Sequence, residues 1–147
     1  MNCIFFGHRD APSEINAKLK KQITDFINKE EDVSFYVGNN GKFDYYVQII
    51  LEELSKNASF NYYIVLSRIN EKALSGNQEF TIFPEGLENV LPNFAISKRN
   101  EWMLKKADCL IAYATNSFTN AGKLFFKAKK RGILTINLSH SLDDVDN

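Results

Sequence analysis

The chain lacks the residue concentrations by which several functional classes are identified. It has only two cysteines and two histidines, and its 18 basic side chains are balanced by 18 acidic ones. Proteins that bind nucleic-acid phosphates usually carry a clear positive excess, so a formal net charge of zero disfavours that class. Two cysteines cannot build a disulfide framework, and neither His8 nor His140 has cysteines at metal-ligand spacing. We therefore expect no metal site. A nucleic-acid partner is disfavoured, although a neutral chain can still carry a local basic patch.

Long apolar runs are also absent. No run approaches the roughly 20 residues of a membrane span, and no signal-peptide pattern is present. We therefore expect no membrane partner and a cytoplasmic location, where Cys3 and Cys109 would be reduced, buried thiols within apolar strands. The alternative is a disulfide between neighbouring strands, which the fold does not need. The 44% hydrophobic and 24% charged content is typical of a globular protein. The length of 147 residues predicts one domain, residues 1–147.

The chain does contain an alternation of short apolar runs with longer amphipathic segments. The runs predict strands near residues 3–6, 33–37, 62–66, 108–113 and 133–138, and the 3.6-residue spacing predicts helices between them. Such alternation indicates parallel strands joined by right-handed crossovers. We predict an α/β protein, a Rossmann-like three-layer α/β/α sandwich with a mainly parallel sheet of about five strands. The irregular residues 67–92 contain a candidate short strand at 80–83 and form either a functional loop or an excursion beyond the sheet.

The first candidate site residues follow the first strand. Gly7 allows a sharp turn and a close approach to a ligand. His8 can donate or accept hydrogen bonds, and Arg9 offers a planar fork for phosphate or carboxylate. The alternative is that His8 only caps the strand end and Arg9 is a solvated charge. Ligands bind at the carboxyl ends of strands in open α/β sheets, which favours contact with a ligand.

The turn after the second strand supplies the next group. Its sequence is GNNGKFD, from Gly38 through Asn39, Asn40 and Gly41 to Asp44. The small residues are typical of a phosphate or ribose cradle, with the acid positioned for ribose hydroxyls. The pattern matches neither a Walker loop nor a GxGxxG fingerprint. An Asn-Gly pair is often only a turn, and Asp44 could be an acid favoured by the helix dipole.

Two further groups come from later in the chain. On the helix predicted near residues 94–106, Asn100 falls on an inward apolar stripe, where a buried amide must be satisfied, and Arg99 lies beside it. The other members of the stripe are Ile96, Met103, Leu104 and Ala107. Taken alone, Arg99 is expected on a solvated helix face. In the loop at residues 115–123, Ser117 and Thr119 lie where a phosphate would meet a helix amino terminus.

Together these motifs resemble the SLOG superfamily, the DprA- and LOG-like Rossmann proteins, and within it the small single-domain YpsA-like branch of bacterial and phage proteins. The resemblance covers about residues 3–138. It is carried by FFGHR at 5–9, GNNGKFD at 38–44, FPEGLENVLPNFAISKRNEWML at 83–104, and ADCLIAY at 107–113 before a helix containing Gly122.

The resemblance implies a protein that binds nucleotides or nucleotide-derived ligands, often as a homodimer. Some members are phosphoribohydrolases that use a helix arginine, similar in position to Arg99, and a PGGxGT loop followed by a glutamate. The loop here lacks the double glycine, and the helix after it has no glutamate. N-glycoside hydrolysis needs a carboxylate near the anomeric carbon, and only Asp44, Glu101 or Glu85 could provide it. We therefore expect binding rather than catalysis.

Three functional hypotheses remain. The leading one is a module that binds a small nucleotide or an ADP-ribose-like ligand, without a cofactor, as a sensor or to sequester it. Phosphates would lie over Gly7, residues 38–41 and residues 117–119, with charge from Arg9 and Arg99 and hydrogen bonds from Asn100 and Asp44. The alternatives are a nucleoside-monophosphate phosphoribohydrolase-like enzyme and a single-stranded DNA-binding protein of the DprA type.

Overall fold

The computed structural model describes residues 1–140; the acidic segment 143–146, which the sequence predicts to fray, lies outside the described residues. Within them, six strands form one parallel sheet in the order β4-β3-β2-β1-β5-β6. The strands are β1 (Asn2–Gly7), β2 (Ser34–Val37), β3 (Asn61–Val65), β4 (Thr81–Ile82), β5 (Cys109–Tyr113) and β6 (Leu134–Asn137). The α-helices are α1 (Asn16–Lys29), α2 (Gly41–Ser55), α3 (Ala95–Lys106) and α4 (Asn120–Lys130).

The helices cover both faces of the sheet. Successive side chains of a strand point to opposite faces, so both sides of a central parallel strand must be apolar. In β1, Cys3 and Phe5 pack with residues of α1 and α2, whereas Ile4 and Phe6 pack with residues of α3 and α4. The Rossmann-like three-layer architecture is therefore confirmed.

The strand count differs slightly from the prediction of about five. The additional strand is β4, within the irregular segment 67–92, and it pairs in parallel with β3. The main-chain N–H of Ile64 donates to Phe80 at 2.9 Å and that of Leu66 donates to Ile82 at 2.9 Å. Two residues are too short to give a clear alternation in the sequence, so periodicity indicated this strand only weakly.

The two cysteines lie opposite each other at the centre of the sheet. Cys3 of β1 pairs in register with Cys109 of β5, and both are fully buried free thiols. The predicted burial of both thiols is therefore confirmed. No helix among residues 1–140 is long and apolar enough to span a bilayer.

The strand order creates one crevice. From β1 the chain builds outward through β2, β3 and β4, and then crosses back to place β5 on the other side of β1. Connections therefore diverge from the β1–β5 pair, which makes its carboxyl end the topological switch point. Ligands of open α/β sheets bind in such a crevice.

Candidate functional site

A cavity of about 270 Å³ lies at the carboxyl ends of the central strands. Nine of the twelve predicted ligand-binding residues line it, and Asn39, Gly41 and Ser117 do not. The turns after β1, β2 and β5 converge there with α3. The lining comprises Phe5, Phe6, Gly7, His8, Arg9, Asp10, Gly38, Asn40, Asp44, Arg99, Asn100, Thr119, Asn120, Ala121 and Leu124.

Arg99 of α3 is the buried cation of this cavity, with a relative exposure of 2%. Its guanidinium is held by three acceptors: Nε donates to Oδ1 of Asn100 at 2.9 Å, Nη1 to the carbonyl of Val65 at 3.1 Å, and Nη2 to Oδ1 of Asn40 at 2.9 Å. Burial lowers the pKa of Arg99, and the nearby charge of Asp44 opposes that effect. A fixed, partly desolvated guanidinium therefore lies in the cavity wall.

The carboxyl of Asp44 lies near this guanidinium. Its Oδ2 accepts the main-chain N–H of Asn40 at 2.9 Å. Burial raises the pKa of Asp44 to about 6, although Arg99, the N–H of Asn40 and Arg9 each oppose the increase. The site therefore contains a carboxyl that changes its protonation near neutral pH, a feature more frequent at functional sites than elsewhere.

Two glycines are required by close packing around these residues. A Cβ on Gly38 would lie 2.8 Å from Oδ2 of Asp44 and 3.0 Å from Nη1 of Arg99. A Cβ on Gly7 would lie 2.2 Å from the ring of Phe43. A larger residue at Gly38 would displace the charged groups of the cavity, and one at Gly7 would displace the core ring of Phe43 beneath the first turn.

His8 is attached to the β5 side of the cavity. Its Nε2 accepts the main-chain N–H of Thr115 at 2.8 Å and lies 3.0 Å from the Thr115 hydroxyl. Because Nε2 accepts, the neutral ring is assigned its proton on Nδ1. Burial lowers the pKa of the imidazole, with Asp10 opposing the decrease, so His8 is a neutral polar group at pH 7.

Arg9 differs from Arg99 because it is exposed at the rim. Its carbonyl accepts the N–H of Lys42 at 2.8 Å, which fixes the first turn against the start of α2. Gly41 serves this contact. It has φ of +88°, and a Cβ there would lie 2.6 Å from Cα of Arg9. The structure thus gives Gly41 a packing role next to the cavity.

Asn39 is buried in a second polar network, away from the cavity. Its Nδ2 donates to Oε2 of Glu71 at 3.1 Å and to the carbonyl of Lys72 at 2.9 Å, and its Oδ1 accepts from Nε2 of Gln48 and the N–H of Leu74. This network fixes residues 71–74 to the turn after β2. Sequence reasoning missed Gln48 and Glu71. A glutamine beside the apolar stripe of α2 was the available signal.

The amino terminus of α4 forms the opposite wall. Thr119 is its N-cap, accepting the N–H of Gly122 at 3.1 Å, and the helix has no acid in its first turn. The N–H groups of Asn120 and Ala121 have no hydrogen-bond partner within residues 1–140, and both residues line the cavity. Unpaired amides at a helix start suit an anion. Ser117 lies in the preceding loop, outside the lining.

The predicted inward face of α3 is confirmed at Met103 and Leu104. It is wrong in the first turns of the helix, where Arg99 is buried in place of Ile96 and Asn100. The buried positions of α3 are Ala95, Arg99, Met103 and Leu104, whereas Asn100 is half-buried. The expectation that Arg99 lies on a solvated face is therefore wrong. Asn100 does line the cavity, and its Oδ1 orients the guanidinium of Arg99.

The other two candidate acids, Glu101 and Glu85, do not line the cavity. Glu101 accepts hydrogen bonds from Nη2 of Arg131 at 2.7 Å and lies 3.5 Å from Nζ of Lys127. The Arg131 hydrogen bond is the main cause of a lowered pKa at Glu101. Glu85 is exposed. Neither lines the cavity, so Asp44 is the one of the three proposed carboxyls that does.

Comparison with protein families and with curated proteins finds no relative whose function would indicate the ligand of this cavity. No protein-family model matches the sequence, and no curated protein is significantly similar to it. The resemblance to the SLOG superfamily therefore stays a prediction, and function has to be argued from the cavity itself.

Proposed function

We propose that the chain binds a small nucleotide or an ADP-ribose-like ligand in the cavity at the β1–β5 switch point, as a sensor or to sequester the ligand. The observation that carries this proposal is the buried guanidinium of Arg99 in the cavity wall, with the carboxyl of Asp44 close by. A cation and a carboxyl in one pocket suit a ligand that contains both an anion and hydroxyl groups.

The anion would be a phosphate. An arginine has five N–H donors, and three hydrogen bonds from Arg99 to protein acceptors are present among the described residues. The remaining donors are suited to a phosphate oxygen, and the amides of Asn120 and Ala121 add two more at the opposite wall. Arg9 at the rim supplies a second positive charge that can move toward the ligand.

The hydroxyl groups would belong to ribose. Asp44 uses Oδ2 for the N–H of Asn40, and Oδ1 has no hydrogen-bond partner within residues 1–140. A carboxylate oxygen accepts hydrogen bonds from vicinal hydroxyls, as in dinucleotide-binding folds. The volume of about 270 Å³ is at the lower end for ligand pockets, about 300–1,000 Å³. One phosphoribosyl unit therefore suits the cavity better than a whole dinucleotide.

The proposal can be tested by calorimetric titration of the protein with ribose 5-phosphate, AMP and ADP-ribose. We expect Arg9→Ala to weaken AMP binding about tenfold, because an exposed cation adjoining the cavity is removed without loss of packing. Arg68→Ala, which removes an exposed arginine outside the cavity lining, is the matched control. Absence of binding by the wild type to all three compounds would contradict the proposal.

A second candidate is hydrolysis of the N-glycosidic bond of a nucleoside monophosphate. It is favoured by one observation, the carboxyl of Asp44 with a pKa near 6 in the cavity. A carboxyl with such a pKa can act as a general acid or base near neutral pH. Incubation with AMP followed by chromatography would detect free adenine. Asp44→Asn should abolish release and Glu101→Gln should not; release that survives Asp44→Asn excludes this mechanism.

A further inference from the structure

The loop between β5 and α4 presents an aromatic ring to solvent. Phe118 has a relative exposure of 86%, the largest of any large apolar side chain in residues 1–140. All but one of the other phenylalanines are buried, such as Phe5, Phe35 and Phe43, or partly buried and packed against the core. Because the ring is almost fully exposed, packing among residues 1–140 does not account for its position.

The loop that carries the ring is fixed by hydrogen bonds. Oδ1 of Asn116 accepts the N–H of Phe118 at 3.0 Å and that of Thr119 at 3.1 Å, and the Thr119 hydroxyl donates to the carbonyl of Asn116 at 3.2 Å. Gly122 of α4 packs against the same carbonyl, since a Cβ there would lie 2.0 Å from it. The backbone of Phe118 is therefore held in place before any ligand arrives.

This loop adjoins the rim of the cavity. Thr119 and Asn120, the two residues after Phe118, line the cavity, whereas Phe118 itself does not. The cavity volume suits one phosphoribosyl unit, so the base of a bound nucleotide would project out of it. An exposed aromatic ring one residue before the cavity lining offers a flat apolar surface for such a base.

We propose that Phe118 is the stacking platform for the base of a nucleotide whose phosphoribosyl part occupies the cavity. This inference rests on the proposed nucleotide-binding function. Every base has a π-face, and stacking on an aromatic ring tolerates different bases. Phe118 therefore adds affinity for nucleotides over sugar phosphates, while Arg99 and Asp44 recognise the part that all nucleotides share.

The test compares two probes that differ only in the base, AMP and ribose 5-phosphate, titrated into the wild type and Phe118→Ala. Removal of an aromatic platform weakens base binding by about tenfold or more. We expect that loss for AMP and an unchanged affinity for ribose 5-phosphate. Since the side chain is exposed, Phe118→Ala should unfold at the same urea concentration as the wild type.

Two variants of the same position separate stacking from apolar contact. Phe118→Trp should retain or increase the affinity for AMP, and Phe118→Leu should lose most of the difference between the probes, because leucine lacks a π-face. Phe94→Ala is the matched control, since Phe94 is also exposed, at 52%, but does not line the cavity. It should leave both affinities unchanged.

The outcomes distinguish this inference from the function on which it rests. If the wild type binds neither probe, the nucleotide-binding proposal fails, and the stacking role of Phe118 fails with it. If both probes bind and Phe118→Ala changes neither affinity, only the platform is wrong. An equal loss for both probes together with a change in oligomeric state on size-exclusion chromatography would assign Phe118 to an interface between copies, which also overturns the platform.

Discussion

The turns after β2 and β5 have a similar sequence plan, a strand followed by polar residues and then a helix with a glycine in its first turn, but the structure uses them differently. At the start of α2 the negative charge comes from the protein itself, because the carboxyl of Asp44 is in the first turn and accepts the N–H of Asn40. The start of α4 has no acid in its first turn, and the amides of Asn120 and Ala121 have no partner within residues 1–140.

This difference indicates which end of the cavity suits which part of a ligand. A helix amino terminus favours a negative charge, and at α2 a carboxyl already occupies that position. A phosphate is therefore better placed at α4, with Asp44 and the α2 turn available for hydroxyl groups. The expectation that phosphates lie over residues 38–41 accordingly becomes a proposal for the sugar. Residues 119–121, together with the remaining donors of Arg99, become the proposed phosphate site.

The largest expected effect is a loss of stability when the buried charge of Arg99, beside the turn after β2, is removed. Arg99→Met should lower the free energy of unfolding at pH 7 by about 3–5 kcal/mol, because the carboxylate of Asp44 and the acceptors around Arg99 would lose their partner. Urea unfolding followed by circular dichroism measures this loss. Arg131→Met removes a half-exposed cation that pairs with Glu101 and should cost less than about 1 kcal/mol. Equal losses in the two variants would contradict a structural difference between the two arginines.

The next effect is the pH dependence caused by Asp44. Its folded-state pKa of about 6 lies above the ordinary value of 3.8, so the folded protein binds this proton more tightly than the unfolded chain does. The resulting stability is fully present below about pH 4 and is lost as pH rises through about 6. A difference of roughly 2 pKa units corresponds to about 3 kcal/mol.

Asp44→Asn removes this titration. The unfolding free energy of Asp44→Asn relative to the wild type should therefore increase by up to about 3 kcal/mol between pH 4 and pH 7. Urea titrations at four pH values measure the two curves. Parallel curves would show that the carboxyl is not buried as described.

The smallest expected change in stability concerns the start of α4, which follows β5. Thr119→Ala removes the N-cap hydrogen bond to Gly122 and should lower stability by about 1 kcal/mol, independently of pH because no acid lies in that turn. Thr119→Ser retains the hydroxyl and is the control. A larger loss of stability in Thr119→Ala than in Arg99→Met would contradict this order. It would show that the start of α4 stabilises the cavity more than the buried pair of Arg99 and Asp44 does.

The fold could be predicted from the sequence because periodicity reports burial directly. The apolar runs around Phe5, Phe35 and Leu110 are strands of the sheet, and the glycine turns after β1 and β2 begin where those strands end. Only β4 was weakly indicated, since it has two residues and depends on pairing with β3. The residues at the strand ends, Gly7 and Gly38 among them, were therefore located correctly.

The interior of the site was harder to predict because long-range contacts determine it. An apolar stripe through Ile96 and Asn100 placed Arg99 outside, but burial of Arg99 depends on acceptors at Asn40 and Val65, more than 30 residues earlier in the chain. For the same reason Asn39, next to a cavity residue, belongs to a different network with Glu71. Local patterns do not record which distant group satisfies a buried polar side chain.

The central claim is that the anion of the ligand binds at the start of α4 and the sugar at the start of α2. The most direct test is a titration of ¹⁵N-labelled protein with ribose 5-phosphate, monitored by two-dimensional NMR. The largest amide shifts should occur at Asn120 and Ala121, and inorganic phosphate alone should reproduce them. Inorganic phosphate should leave the amides of Gly41 and Lys42 unchanged. Phosphate shifts at Gly41 and Lys42, with none at Asn120 and Ala121, would contradict the assignment.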